Sequence, residues 1–323
     1  MNDTFTVVGG GPAGSAAAVA LAMAGARPLI YEQSPFPRHK VCGEFFTPEI
    51  LPALDRLGMA AEFLERRPAP IAHAELHFSR RSRRFRLPQP GFGLSRWAFD
   101  EMLLGAAFRR GAQLRRERIS QPGPRAIWAA GRLAKQPRGQ RLFGFKTHFA
   151  GPAGDAVELY FFPGGYCGIC PIEDGRINVC GLATEPLLRT HRFGIESLMA
   201  AHQRLAARLA PLEPRGPWQL TGPLRFGPTA GVPPDCYAAG DAACFVDPFT
   251  GSGLLAAVQT GVWAAEALLS ATPVEGHQRR CERFQQRQLG ATTILRGLLD
   301  AGWAEPLAAF LPGAWVFGWT RPG

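Results

Sequence analysis

The stretch Thr4-Phe-Thr-Val-Val-Gly9-Gly-Gly11-Pro-Ala-Gly14-Ser-Ala-Ala-Ala-Val-Ala-Leu-Ala constrains this chain more than any other. Its apolar run predicts a buried strand and its alanine-rich run a helix, with the glycines as the turn between them. In such a turn Gly9 permits the sharp bend, Gly11 lets the backbone approach a pair of phosphates, and Gly14 lets the helix lie close on its strand. The unpaired N–H groups of the helix N-terminus then face the phosphates. A second apolar strand, Arg27-Pro-Leu-Ile-Tyr31, ends in Glu32. That is roughly 20 residues past the glycines, where an acidic side chain meets ribose hydroxyls. These features together predict a dinucleotide-binding unit and leave open which dinucleotide it holds.

At 323 residues the chain is long enough for two domains or one elaborated domain. The N-terminus lacks the basic lead-in of a signal peptide, and the alanine-rich run is too short to span a bilayer. A cytoplasmic protein is therefore expected. Seven cysteines without secretory context read as reduced thiols. Cys167-Gly-Ile-Cys170 has metal-ligand spacing, but on a strand residues three apart face opposite ways, so no metal is expected. The net charge of +10 is carried almost wholly by arginine, a usage that also fits a GC-rich bacterial genome. The clusters Arg80 to Arg86 and Arg109 to Arg118 read first as solvated faces, with an acidic protein or an anionic membrane as alternatives. Neither is interleaved with stacking aromatics, which argues against nucleic acid.

After Glu32, the segment from Gln33 through Lys40-Val41-Cys42-Gly43-Glu44 is broken by prolines and glycine and reads as a loop over the nucleotide. Helices are expected over Pro48 to Leu57, on to Glu65, and from Ser95-Arg96 to Arg110. Alternating segments at 72–78 and 83–87, then at 142–149, 156–162, 165–172 and 176–183, read as strands of an antiparallel sheet. Ala126 to Gly131 reads as a buried strand returning to the first unit. Pro186 to Leu212 reads as helical, Trp218 to Phe226 as a strand, and Gly251-Ser-Gly253 as the start of a long helix. The tail carries Trp303, Phe310, Trp315, Phe317 and Trp319. Packing on the body is its commoner use, with peripheral membrane contact as the alternative.

With these landmarks in view, the sequence resembles the FAD-dependent group that includes geranylgeranyl reductases, flavin-dependent halogenases and aromatic hydroxylases. Val7-Val-Gly-Gly-Gly-Pro12-Ala13-Gly14, Lys40-Val41-Cys42-Gly43-Glu44, Arg96-Trp-Ala-Phe-Asp100 and Ala239-Gly240-Asp241-Ala-Ala-Cys-Phe-Val-Asp-Pro248-Phe-Thr-Gly251-Ser252-Gly253-Leu254 carry the resemblance in order. It implies an α/β protein with a discontinuous Rossmann-like FAD-binding domain (1–70, 92–132 and 228–272). An inserted antiparallel sheet for the substrate (71–91 and 133–227) and C-terminal helices (273–323) complete it. It also implies that Asp241 binds the ribityl chain, that the helix after Pro248 points at the flavin pyrimidine, and that Arg96 lies near the phosphates. A helix N-terminus there stabilises charge on a reduced flavin by roughly 0.3–2 kcal/mol.

The reaction is less constrained. The prenyl reductases' Pro-x-x-Tyr-x-Trp-x-Phe-Pro signature is matched by Pro163-Gly-Gly-Tyr166-Cys-Gly168-Ile-Cys170-Pro171, with small residues where the large aromatics belong. The halogenases' Trp-x-Trp-x-Ile-Pro run is absent. The hydroxylases' Ala-Asp-Gly segment, linked to nicotinamide use, is matched by Ala129-Ala130-Gly131 without the aspartate, so NAD(P)H or a separate reductase is the expected electron donor. The first expectation is an oxygen-dependent monooxygenase that hydroxylates an aromatic or polyketide-like small molecule, free or on a carrier protein. Reduction of carbon–carbon double bonds in an isoprenoid chain is the alternative, and a non-catalytic flavin-binding accessory protein a third. Candidate catalytic residues are Tyr166 as a hydrogen-bond donor, His148 as an acid or base, and Cys42 in the loop near the flavin.

Overall fold

The structure is a computed structural model that describes residues 4–131, 141–224, 231–243 and 251–286. The glycine stretch folds as β1 (Thr4–Val8), a turn and α1 (Pro12–Met23), followed by β2 (Arg27–Tyr31), which pairs with β1 in parallel. A two-residue β3 (Phe45–Phe46) and two short helices, α2 (Ile50–Asp55) and α3 (Ala60–Glu65), lead to the hairpin β4 (Ala69–His77) and β5 (Ser82–Gly93). The chain then returns through α4 (Arg96–Arg109), β6 (Gln113–Arg115) and β7 (Ile127–Trp128). Next comes the meander β8 (Leu142–Ala150), β9 (Ala156–Phe162), β10 (Gly165–Pro171) and β11 (Arg176–Thr184). Beyond it lie α5 (Glu185–Thr190), α6 (Ile195–Ala200), α7 (Gln203–Leu209), β12 (Glu213–Pro214), β13 (Gln219–Leu224), β14 (Tyr237–Ala238) and α8 (Gly253–Leu269). A further helical stretch covers 274–286.

Two sheets result. One is parallel, in the order β14-β7-β1-β2-β6, as the interleaved order of the chain predicts. The other runs β12-β8-β11-β10-β9-β4-β5-β3, with β13 also on β8. It corrects the expectation of a wholly antiparallel sheet, because β4 and β9 pair in parallel. The hairpin and the meander are each antiparallel because tight turns make them so. They are separated by α4, β6 and β7, so no turn dictates the sense in which their edges meet.

Two further expectations change. The helical span after Pro186 breaks into three pieces, at 191–194, where Arg192 and Phe193 both take positive φ before Gly194, and again at 201–202. Within the arginine cluster from Arg109, Gln113–Arg115 is an edge strand on β2. The tail beyond 286 and the end of the strand expected at Phe226 lie outside the described residues. Among the described residues no helix is long and apolar enough to cross a membrane.

One core lies between the parallel sheet and α1, α4 and α8, and a second between the outer face of the larger sheet and α5 to α7. In the first, α1 and α8 approach so closely that a Cβ on Gly261 would stand 2.2 Å from the Ala13 carbonyl oxygen. Gly261→Ala therefore lowers stability. Overpacking costs roughly 1–3 kcal/mol, against about 1 kcal/mol that alanine gains in a helix. Urea denaturation measures the balance, and an unchanged or higher midpoint would mean that the two helices do not lock at this glycine.

Candidate functional site

The glycine turn is shaped by contacts that only glycines allow. Gly9 has φ +102°, and a Cβ there would sit 2.3 Å from the Ala129 oxygen; one on Gly14 would sit 1.8 Å from the Gly9 oxygen. Gly11 differs, with φ −72° and no described residue within 4 Å of an added Cβ. Its missing side chain leaves a cradle in front of α1, whose first residue is Pro12. Gly240, at φ +63°, packs on Ala13, and its N–H donates to Thr260 Oγ1 at 2.8 Å. This brings the Gly240-Asp241 stretch beside the glycine turn. The start of α8 adds Gly251, Gly253 and Leu254 to the same cavity wall.

Glu32, at the end of β2, is buried. Its carboxylate accepts bonds from the Gly10 N–H (3.0 Å), the Ser34 N–H (2.8 Å) and both terminal nitrogens of Arg38 (3.0 and 3.1 Å). Burial would raise its pKa, but the Arg38 and backbone bonds outweigh that and hold it below the usual carboxylate range.

The loop that follows is fastened by Glu44. This fully buried carboxylate accepts from Lys146 Nζ, from the Arg96 N–H at 2.6 Å, and lies 2.7 Å from His148 Nε2. Lys146 also donates to the Lys40 carbonyl at 3.1 Å, and Asn178 Nδ2 to the carbonyls of Cys42 (3.0 Å) and Gly43 (2.8 Å). Glu44 holds a left-handed φ of 55°, a conformation that costs an ordinary residue about 1–2 kcal/mol and that these contacts sustain. Burial pushes its carboxyl up; the His148 bond and the Lys146 charge more than reverse this and keep it ionised below its ordinary value.

A cavity of about 1160 Å³ runs from the glycine turn past this loop to the larger sheet. Gly9, Gly11, Pro12, Ala13, Glu32, Gln33, Lys40, Val41, Cys42, Arg96, Gly240 and Asp241 all line it, so the sequence-named cofactor residues converge on one space. Gly14 and Ser252 stand behind the wall as buried packing residues, and Pro248 lies outside the described residues.

Of the catalytic candidates, Tyr166 and Cys42 line the cavity. His148 does not, which corrects its reading as a cavity acid or base: it lies beneath the loop, its Nε2 against Glu44. Burial pushes the Cys42 thiol up, although the Arg96 guanidinium beside it works the other way. Arg96 itself is held bidentate by Asp100 at 2.7 Å. Glu44, Lys146, Asn178 and Arg38 were not named as site residues from sequence. Lys146 carried the one visible signal, a rare lysine within an apolar strand.

The cavity suits FAD. The Gly11 cradle fits a pyrophosphate, Glu32 stands where ribose hydroxyls would come, and two buried nitrogens on its lining residues, Arg38 Nε and His39 Nδ1, have no hydrogen-bond partner among the described residues. Outside the cavity, ligand atoms of Glu75, His77 and Glu158 lie within 4.8 Å of one another. Arg84 and Arg208 already neutralise the two carboxylates, which disfavours a cation there. Cys167 and Cys170 pack in different clusters on opposite faces of β10, and burial pushes both thiols well above their usual range.

Residues 3–121 match the family described as "FAD binding domain". The chain is 27% identical to a protein named menaquinone reductase from Mycolicibacterium smegmatis, over 82% of this chain and 76% of that one. It is likewise 27% identical to a menaquinone reductase of Mycobacterium tuberculosis, over 81% and 75%. Among solved structures, a flavin-dependent brominase superposes with a TM-score of 0.76 at 17% identity, covering 96% of this chain and 91% of that one. PqsL of P. aeruginosa, solved with 2-aminobenzoylacetate, gives 0.70 at 16%, covering 95% and 100%. At these identities the structures show a shared fold.

Two outcomes follow from the geometry. Gly11→Val leaves the thermal midpoint unchanged, since the Cβ position is open, but weakens FAD about tenfold or more, read by quenching of flavin fluorescence. Unaltered affinity would place the cofactor elsewhere. Glu44→Gln leaves Lys146 without its counter-charge and costs about 3–5 kcal/mol at neutral pH. Because the Glu44 pKa is lowered in the folded chain, its contribution is complete above the ordinary value of 4.5 and is lost as pH falls through the folded value. The variant's denaturation midpoint is therefore flatter with pH below 4.5, and an acid limb identical to the parent's would contradict the hub.

Proposed function

We propose that this chain is an FAD-dependent oxidoreductase that reduces carbon–carbon double bonds in an isoprenoid lipid. One observation carries this reading: the sheet end of the cavity is apolar. Strand alternation points Ala74, Leu76, Val157, Leu159 and Leu182 into it, and Phe85 closes the side. Such a wall removes a hydrocarbon chain from water at about 25 cal/mol per Å² buried. The 27% relatives support it, since menaquinone carries an isoprenoid chain. An apolar wall of this kind favours reduction of a hydrocarbon chain over the aromatic hydroxylation expected from sequence.

Gly9, Gly11, Glu32, Arg38, Lys40, Asp241 and the start of α8 would hold FAD. When bound and reduced, FAD supplies the hydride equivalent that one alkene carbon needs. The other carbon needs a proton, and Cys42 is suited to give it. Burial keeps its thiol protonated at neutral pH, and Arg96 alongside stabilises the thiolate left behind. Solvent then returns a proton to the sulfur. Ala129-Ala130-Gly131 lines the cavity and offers no carboxylate, which suits a separate reductase or a loosely held nicotinamide as electron source.

Tyr166 favours a second reading, because a phenol on the cavity wall also suits orienting an aromatic hydroxyl for oxygen-dependent hydroxylation. Mixing the anaerobically photoreduced, FAD-loaded protein with a short-chain menaquinone separates the two. The reductase reoxidises its flavin without oxygen and yields a product whose isoprenoid chain keeps two added hydrogens after the ring is reoxidised in air. Cys42→Ala retains FAD but slows this step by about 10²–10⁴. A product that gains an oxygen atom, and only under air, would overturn the proposal in favour of hydroxylation.

A further inference from the structure

The cavity face of the larger sheet is organised in cross-strand rows. One runs Leu76, Leu159, Gly168, Cys180 and Lys146 across β4, β9, β10, β11 and β8. The next runs Phe161, Tyr166, Leu182 and Gly144. Gly168 therefore sits mid-sheet without a side chain, between Leu159 on one strand and the short Cys180 on the other. Above Cys180 lies Cys42, held there by the bonds from Asn178. The result is a slot with Gly168 as its floor, Leu76, Leu159 and Phe85 along one side, Cys42 along the other and Tyr166 at its end. The backbones of β9 and β11 that flank it stand roughly 10 Å apart at about 4.8 Å per strand, and Leu159 reaches in beside Gly168, a shape suited to the flat face of a ring.

Charge narrows the occupant further. The cations that line the cavity, Arg38, Lys40, Arg96 and Arg118, stand on the loop, the start of α4 and the segment after β6. Lys146 and His148 share the larger sheet but do not line the cavity, because Glu44 engages both. Among the described residues, the sheet end offers only uncharged polar groups: thiols, the Tyr166 phenol, the Thr221 hydroxyl and the Gln219 amide. The one guanidinium that reaches the slot, Arg96 beside Cys42, is already held bidentate by the buried Asp100, so a diphosphate placed there would lose its hydration without gaining an unpaired cation, which is strongly unfavourable.

We propose that Gly168 is the specificity-determining residue of this cavity, and that its slot selects an isoprenoid lipid with an uncharged ring head group, such as a prenylated quinone or phenol, over a prenyl diphosphate. The proposal deepens the reductase reading and rests on it for the isoprenoid part. The ring lies over Gly168 against Leu159, and Tyr166 donates its hydroxyl to a ring oxygen. A side chain at position 168 fills the slot: even a Cβ would stand 3.3 Å from Leu159 Cδ2, and larger groups extend from there into the cavity.

Binding tests this without turnover. The oxidised, FAD-loaded protein is titrated with a short-chain menaquinone, with the prenyl alcohol of the same chain length and with the matching prenyl diphosphate, while the flavin absorbance is followed. The parent binds the menaquinone about tenfold or more tighter than the diphosphate. Gly168→Phe loses about tenfold or more for the menaquinone and little for the alcohol. Phenylalanine suits a strand, and retention of FAD reports that the fold survives. Tyr166→Phe gives the same discrimination with a smaller loss. Equal or tighter binding of the diphosphate by the parent would overturn the proposal, as would equal weakening of all three ligands by Gly168→Phe with FAD retained. If the menaquinone binds selectively but no double bond of its isoprenoid chain is reduced by the reduced flavin, the reductase reading fails while the slot stands.

Discussion

The arrangement of the cavity depends on one buried carboxylate. Glu44 lies in the loop after β2, yet its partners come from β8 and from the first residue of α4. An ion at full burial is tolerated only when charge and hydrogen bonds compensate it completely, and Glu44 has a cation, an imidazole and a backbone N–H. The compensation works in both directions. Glu44 removes Lys146 and His148 from the cavity, and they in turn fix the loop that carries Lys40, Val41 and Cys42 along its wall. The N-terminus of α4 receives a second buried carboxylate, Glu173, which accepts from the Ser95 N–H at 2.8 Å. Two anions at one helix start suit its dipole and tie both sheets to the same point.

Around this point the larger sheet divides by chemistry. On its cavity face, β4 and β9 present Ala74, Leu76, Val157 and Leu159, while β8 and β11 present Lys146, His148 and Asn178. The loop covers the polar half, so the part left open is the apolar one, with Gly168 and Cys180 on the boundary. A strand puts alternate residues on opposite faces, so Phe145 and Phe149 fill the core under α5 to α7 while Lys146 and His148 meet the loop.

The parts of this design that are local in sequence were legible. The glycine turn, Glu32, and the Gly240-Asp241 stretch before α8 each follow from residues a few positions apart, and the structure gathers most of them on one cavity. The hub was not legible, because Glu44 lies 102 residues from Lys146 and 104 from His148. From sequence His148 reads as an acid or base because it is a histidine on an alternating strand; nothing local tells that the face it occupies is covered by a loop. The parallel β4–β9 pairing was hidden for the same reason, since a hairpin announces its partner through its turn and a sheet edge does not.

The loss of large aromatics at Gly168 and Cys170 reads from sequence as a weakened grip on a prenyl chain. In the sheet the two positions diverge. Cys170 is buried against Phe45 and Ala74 and adds little space, whereas Gly168 opens the floor between Leu159 and Cys180. What a strand pattern shows as two equivalent small residues is one packing residue and one opening. The difference arises because Cys170 joins the cluster of Phe45, Ile71, Ala74 and Leu87, whereas Gly168 has no side chain to set beside Leu159.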